Sequence, residues 1–255
     1  MIRYFKYIII LSVAFGLNKE SNSLNNLPPT ENDSENLYYG GWPIKTIKNK
    51  EISEINCPGD LGCECSLNKD CKNGNCSKHL RGYYCSLEKG DIFPEFVGVD
   101  QFGEIVSIKD FANEGKYILI EMGASWCSPC RELADWFSYG VDDITKKPFW
   151  KNEYNAVYDL VHNKEIYFIT VLYEDEFHDV ASLYTIEEWF NNYPDDNIPI
   201  IADENKYLHT ILKPTGIPAV TLLDENLKII ELSNRGFNYS FDALLKLLNS
   251  DSESK

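Results

Sequence analysis

Four successive apolar or aromatic residues, Tyr117-Ile118-Leu119-Ile120, run through Glu121-Met122-Gly123 into Ala124-Ser125-Trp126 and then Cys127-Ser128-Pro129-Cys130. The first run reads as a buried strand, and the stretch from Arg131 to Tyr139 carries Leu133, Trp136 and Phe137 at helical spacing. Two cysteines therefore sit where a strand hands over to a helix. At a helix N-terminus the unpaired backbone N–H groups and the positive end of the dipole favour a thiolate over a thiol, which makes Cys127 the nucleophile. Cys130, one helical turn on, is placed to attack a mixed disulfide formed at Cys127 and release its partner. Pro129 falls in the first turn, where its missing N–H removes no helical hydrogen bond. A purely structural bridge between cysteines three apart would close a tiny loop and remove little entropy from the unfolded chain, so redox use is the better reading. Arg131 stands where c-type haem attachment needs histidine, which excludes that alternative.

Trp126-Cys127-Ser128-Pro129-Cys130 resembles the active site of the thioredoxin superfamily, and Thr215-Gly216-Ile217-Pro218, leading into the apolar run Ala219 to Leu223, resembles its cis-proline loop. The likeness covers Asp91 to Asn249, and the segment from Phe93 to Phe111 is similar to the opening of extracytoplasmic redoxins. It implies a catalytic set of Cys127, Cys130, Glu121 and Pro218, with Glu121 moving protons for the resolving thiol. It also implies Trp126 and Ile217 as substrate-binding residues, Ile217 offering its backbone to an extended substrate strand while the Pro218 ring shields the sulfurs. The apolar neighbours Ile118, Leu119 and Ile120 independently favour a buried Glu121 carboxyl with a raised pKa.

Ahead of this region the chain changes character. Arg3 and Lys6 followed by an apolar stretch to Leu17 read as a signal peptide over residues 1–16, with no nearby cysteine for a lipid anchor. Residues 17–56, rich in Asn, Ser, Glu and Lys, read as a flexible linker in which Leu37 to Pro43 is an apolar island that either docks on one of the domains or, as lone aromatic clusters in linkers more often are, is incidental. Cys57, Cys63, Cys65, Cys71, Cys76 and Cys85 then crowd a segment with almost no apolar residues, so it needs cross-links to hold a shape. The six read as three structural disulfides whose pairing the sequence leaves open; zinc held by some of these thiolates with His79 is the rival.

From residue 91 to 249 the composition is globular. A hairpin turns at Asp100 to Gly103, and residues between Val141 and Lys164 carry an extra amphipathic helix. Ile166 to Tyr173 is a second buried strand, and Thr185 to Tyr193 a helix capped by Thr185 with Glu188 as its reciprocal partner. Ile198 to Ala202 is a short strand, Lys206 to Leu212 a brief helix, Ala219 to Leu223 and Leu227 to Leu232 a hairpin, and Phe241 to Leu248 a closing helix. The fold class is α/β, a thioredoxin-like three-layer sandwich around a mixed sheet, followed by a disordered tail at 250–255.

A net charge of −16 argues against nucleic acid or an anionic membrane surface as partner, leaving the membrane only through an uncleaved signal segment. Eight cysteines point to an oxidising, extracytoplasmic (periplasmic or secreted) compartment. The expected function is a thiol-disulfide oxidoreductase acting on protein thiols and disulfides, with a membrane thiol carrier as electron donor if it reduces. No metal or cofactor is expected. Ser128-Pro129 lacks the Pro-His pair of strongly oxidising relatives, which leans the reading towards a reductant or isomerase. Two alternatives stand beside it. A thiol peroxidase of the peroxiredoxin type is disfavoured by Ala124 three residues before Cys127, where that family carries Thr or Ser. A secreted binding protein would use the six-cysteine module as its recognition part. His79, His162, His178 and His209 are scattered at no ligand spacing and are assigned no chemistry.

Overall fold

The computed structural model describes residues 37–45 and 53–253. The signal peptide read at 1–16 lies outside them, as does most of the linker read at 17–56. The six cysteines pair as Cys57–Cys63, Cys65–Cys76 and Cys71–Cys85, which leaves no thiolate among them for the zinc alternative. The module's regular structure is one antiparallel hairpin of β1 (Cys76–His79) and β2 (Gly82–Cys85). Its buried apolar side chains are Cys63, Cys71 and Cys85, so its interior is made of sulfur.

β3 (Val97–Asp100) and β4 (Ile105–Ser107) form the hairpin read from Asp100 to Gly103. β5 (Ile118–Gly123) leads into α1 (Ser128–Tyr139), and the insertion holds α2 (Asn155–His162) before β6 (Tyr167–Leu172). Then come α3 (Leu183–Asn192), β7 (Ile200–Ala202), α4 (Tyr207–Leu212), β8 (Ala219–Leu223), β9 (Ile229–Leu232) and α5 (Asn238–Glu253). Seven strands make one sheet in the order β4-β3-β7-β6-β5-β8-β9. β5, β6 and β7 run parallel, and β8, β9, β3 and β4 attach antiparallel at the two sides. Parallel neighbours need crossovers, which the segments holding α1 and α3 supply.

Every residue of β5 and β8 is buried, as continuous apolar runs covered on both faces must be. On one face Phe137 of α1 packs on Phe168, their ring centroids 4.6 Å apart. On the other, Phe111 meets Tyr167 at 5.0 Å and His209 of α4 stacks on Tyr173 at 4.0 Å. The fold is thus an α/β, thioredoxin-like sandwich around a mixed sheet. The insertion joins the first face, where Trp150 and Tyr154 bridge Trp136 of α1 to Phe241 of α5. Among the described residues no helix is long and apolar enough to cross a membrane.

Three expectations change. The apolar island is not incidental: Tyr38 and Trp42 are buried in the core, and the Tyr38 hydroxyl donates to Asp110 Oδ2 at 2.7 Å. Burying two large aromatic side chains gives this stretch a reason to leave the linker state. The cap of α3 is Ser182, not Thr185; the Ser182 N–H donates to Thr185 Oγ1 at 3.1 Å, and Thr185 lies buried inside the first turn. Residues 250–253, read as tail, continue α5, and the rest of the tail lies outside the described residues.

Candidate active site

Cys127 is the N-cap of α1, and its sulfur accepts the Cys130 N–H at 3.2 Å. The first turn thus presents to this sulfur the kind of donor that stabilises a thiolate. Cys127 and Cys130 are joined in a disulfide, their Cα atoms 5.3 Å apart. Cys127 is 2 % exposed and Cys130 fully buried, while Ser128 and Pro129 between them face solvent. Gly140 ends the helix in the left-handed region at φ 65°.

The turn carrying the cysteines is held on both sides. The Tyr173 N–H donates to the Gly123 carbonyl at 3.1 Å, and the Ser125 N–H to the Glu174 carbonyl at 2.9 Å. Trp126 Nε1 donates to Glu174 Oε2 at 2.9 Å, and Arg131 Nη2 to the Trp126 carbonyl at 3.0 Å. Lys206 Nζ approaches the other Glu174 oxygen at 2.6 Å. Burial opposes ionisation of Glu174, but Lys206, the Trp126 N–H and His178 outweigh it and hold the carboxyl below the usual range. The result is an ionised carboxylate that fixes the indole beside the disulfide.

Glu121 lies in β5, 3 % exposed. Its Oε2 accepts the Thr170 hydroxyl at 2.9 Å, while Oε1 has no hydrogen-bond partner among the described residues. Burial pushes its pKa from 4.5 up to about 7, with the Thr170 hydroxyl pulling weakly the other way. Residues two apart on a strand share a face, so Glu121 points the same way as Gly123. A Cβ on Gly123 would lie 3.4 Å from the Cys130 sulfur. A carboxyl able to exchange a proton near neutrality therefore sits on the sheet face that carries Cys130.

Pro218 is buried, and the Ile217–Pro218 peptide is cis. The Pro218 carbonyl accepts the Gly236 N–H at 2.6 Å, and the Thr215 N–H donates to Asn234 at 2.7 Å, which tie the loop down. Neither the amide nor the carbonyl of Ile217 takes a hydrogen bond among the described residues. A groove of about 400 Å³ runs between this loop and the cysteines, walled by Trp126, Cys127, Pro129, Tyr173, Gly216 and Ile217. A second groove lies across Pro129 and Ile217, where Lys147 and Phe149 of the insertion meet Arg235 and Phe237.

All of Cys127, Cys130, Trp126, Ile217 and Pro218 meet at this end of the sheet, with Glu121 behind them in β5. The sequence reading missed Tyr173, Glu174 and Arg235. The available signal was positional: Tyr173 and Glu174 follow β6 at the C-terminal ends of the parallel strands, where α/β sheets place their sites.

No protein-family model matches the chain, and no curated protein does. Solved structures do resemble it. The thioredoxin domain of a thiol-disulfide oxidoreductase from Bacteroides vulgatus is 22% identical with a TM-score of 0.42, over 64% of this chain and 99% of that one. A thiol:disulfide interchange protein from Bacteroides sp. is 21% identical with a TM-score of 0.43, over 64% and 91%. The pneumococcal exposed lipoprotein thioredoxin from Streptococcus pneumoniae is 19% identical with a TM-score of 0.42, over 62% and 99%. With all three scores below 0.5, the chemistry is read from the residues described above.

Proposed function

We propose that this chain is an extracytoplasmic thiol-disulfide oxidoreductase that exchanges disulfides with protein partners, working as a reductant or isomerase. The observation that carries the reading is the Cys127–Cys130 disulfide at the start of α1, with the Cys127 sulfur against a helix N–H and the cis Ile217–Pro218 loop across the groove. In the reduced chain the Cys127 thiolate attacks one sulfur of a partner disulfide. The Cys127–partner bond forms, the partner's own bond breaks, and the departing sulfur leaves as a thiolate that takes up a proton. Cys130, having lost its proton, then attacks the Cys127 sulfur. That step closes the intramolecular disulfide and releases the second partner thiolate. The partner gains two electrons and becomes two thiols, taking one proton from Cys130 and one from water; the chain gives up two electrons and that one proton, and an external dithiol such as a membrane thiol carrier restores it.

Glu121 is the group suited to take the Cys130 proton, since it titrates near pH 7 on the face that carries that sulfur. Ile217, whose backbone groups take no hydrogen bond among the described residues, suits strand-like pairing with an extended partner segment, and Trp126 walls the same groove. Three disulfides around a module with a sulfur interior support the extracytoplasmic setting.

The test is turnover of a protein disulfide such as insulin by the reduced chain. Cys127→Ser is expected to abolish it, and Cys130→Ser to accumulate a mixed disulfide with the substrate. Turnover by the wild-type chain no faster than by Cys127→Ser would overturn the proposal.

A further inference from the structure

The six-cysteine module is docked beside the candidate active site. Gly62, at φ 85°, lies so close to α4 that a Cβ there would come within 3.1 Å of the Thr210 carbonyl oxygen. Lys213, just past α4, places its Nζ 3.8 Å from the centre of the Tyr84 ring of β2. Between the β1–β2 hairpin and the end of α4 lies a groove of about 400 Å³. Its walls include His79, Leu80, Arg81, His209 and Lys213, and Pro214 and Thr215 belong both to it and to the groove at Cys127. The two grooves thus adjoin along Pro214 and Thr215.

The charge of the module groove opposes that of the molecule. The chain carries 40 acidic against 24 basic residues, yet the walls of the module groove hold an arginine, a lysine and two histidines and no carboxylate. Among the described residues neither Arg81 nor Lys213 pairs with an acid; the acid felt most by Lys213 is Glu64. Burial lowers the His79 pKa and Lys213 lowers it further. Burial likewise lowers that of His209, with Glu174 opposing and Lys206 and Lys213 adding to the effect. These shifts keep both imidazoles neutral near pH 7, so the positive charge of the groove rests on Arg81 and Lys213, and a concave site that holds two cations and no carboxylate attracts an anion. Leu80, 87 % exposed at the hairpin tip, adds an apolar contact.

Resting on the oxidoreductase reading, we propose that this groove is a docking subsite for acidic residues flanking the reacting cysteine of a protein substrate. The module then acts as part of the substrate channel. A segment paired to Ile217 continues past Thr215 and Pro214 and lays its acidic side chains between Arg81 and Lys213.

Two short peptides test this, each with one cysteine in disulfide linkage to a chromophoric thiol and flanked on both sides by glutamates or by lysines. With the reduced full chain, kcat/KM for the glutamate peptide is expected to exceed that for the lysine peptide by about tenfold at low salt, and the gap to shrink as salt rises. The net charge alone predicts the opposite order. Arg81→Glu, at an exposed hairpin tip where folding is not at stake, is expected to erase or reverse the preference, and Lys246→Glu on α5 to leave it intact. Equal rates, or faster reduction of the lysine peptide by the wild-type chain, would overturn the subsite and leave the oxidoreductase standing. If neither peptide is reduced, insulin turnover against Cys127→Ser decides the oxidoreductase reading, and binding of cysteine-to-serine peptides by fluorescence anisotropy decides the groove: a glutamate preference lost in Arg81→Glu keeps it as a site for acidic segments, and no preference overturns it.

Discussion

Cys71 and Cys85 are joined across 14 residues of a segment whose buried apolar side chains are themselves cysteines. Cys127 and Cys130 are joined across three residues at the end of a strand that is buried at all six of its positions. The bond is the same, and under the proposed function its duty is opposite. In the module the cross-link replaces a core, so opening it removes what holds the segment. At the start of α1 the core already fixes both cysteines, so the bond can open and close while its surroundings stay put. On this proposal, what separates the structural from the reactive disulfide is whether anything else holds the two sulfurs in place.

The largest effect follows from that contrast. Cys127→Ser is expected to lower turnover of a protein disulfide by about a thousandfold or more, because the attacking atom is gone. The module disulfides should remain closed in the same protein, as alkylation and mass spectrometry would report. The converse change, Cys71→Ala with Cys85→Ala, is expected to cost about 3 kcal/mol by loop-closure entropy. It should appear as proteolysis within 57–85 while the seven-stranded sheet stays folded; a module that resists protease without this bond would break the comparison.

Glu121 gives an effect of similar size with a defined pH window. Its folded pKa of about 7 lies above its ordinary 4.5, so between these values the native state holds the proton more tightly than the unfolded chain does. Stability therefore falls as pH rises through this window, by about 3 kcal/mol at its upper end. Glu121→Gln should flatten that dependence in denaturant unfolding of the oxidised chain and slow the resolving step at neutral pH. A smaller effect is expected at the clamp on Trp126. Glu174→Gln removes the charge that holds the indole and Lys206 and should cost about 1 kcal/mol, read as lost hydrogen-exchange protection of the Trp126 indole N–H.

Much of the sheet was legible because its evidence is local. Tyr117 to Ile120, Ile166 to Tyr173 and Ala219 to Leu223 are apolar runs, and the Cys-Ser-Pro-Cys and Ile-Pro pieces mark the strand ends that face each other across the groove. The cap of α3 was misplaced because Ser182 and Thr185 are both cap-type residues three apart, and only burial of Thr185 decides between them. What was illegible depends on distance in the chain. Tyr38 finds Asp110 across 72 residues, and Trp126 finds Glu174 across 48. His79 and His209 share no spacing in sequence, yet the docked module brings them to one groove. The β1–β2 hairpin sets Cys76 opposite Cys85, yet each bonds outside the hairpin, to Cys65 and Cys71, and Cys57 closes on Cys63; cysteine spacing shows none of this.

The most direct test of the division of labour is a redox titration of the full chain in glutathione and dithiothreitol buffers, with each disulfide followed separately by alkylation and mass spectrometry. Cys127–Cys130 is expected to behave as a reversible two-electron couple between about −270 and −120 mV, while the three module disulfides stay oxidised across that range. A module disulfide that opens before Cys127–Cys130, or no reversible couple at Cys127–Cys130, would contradict the account.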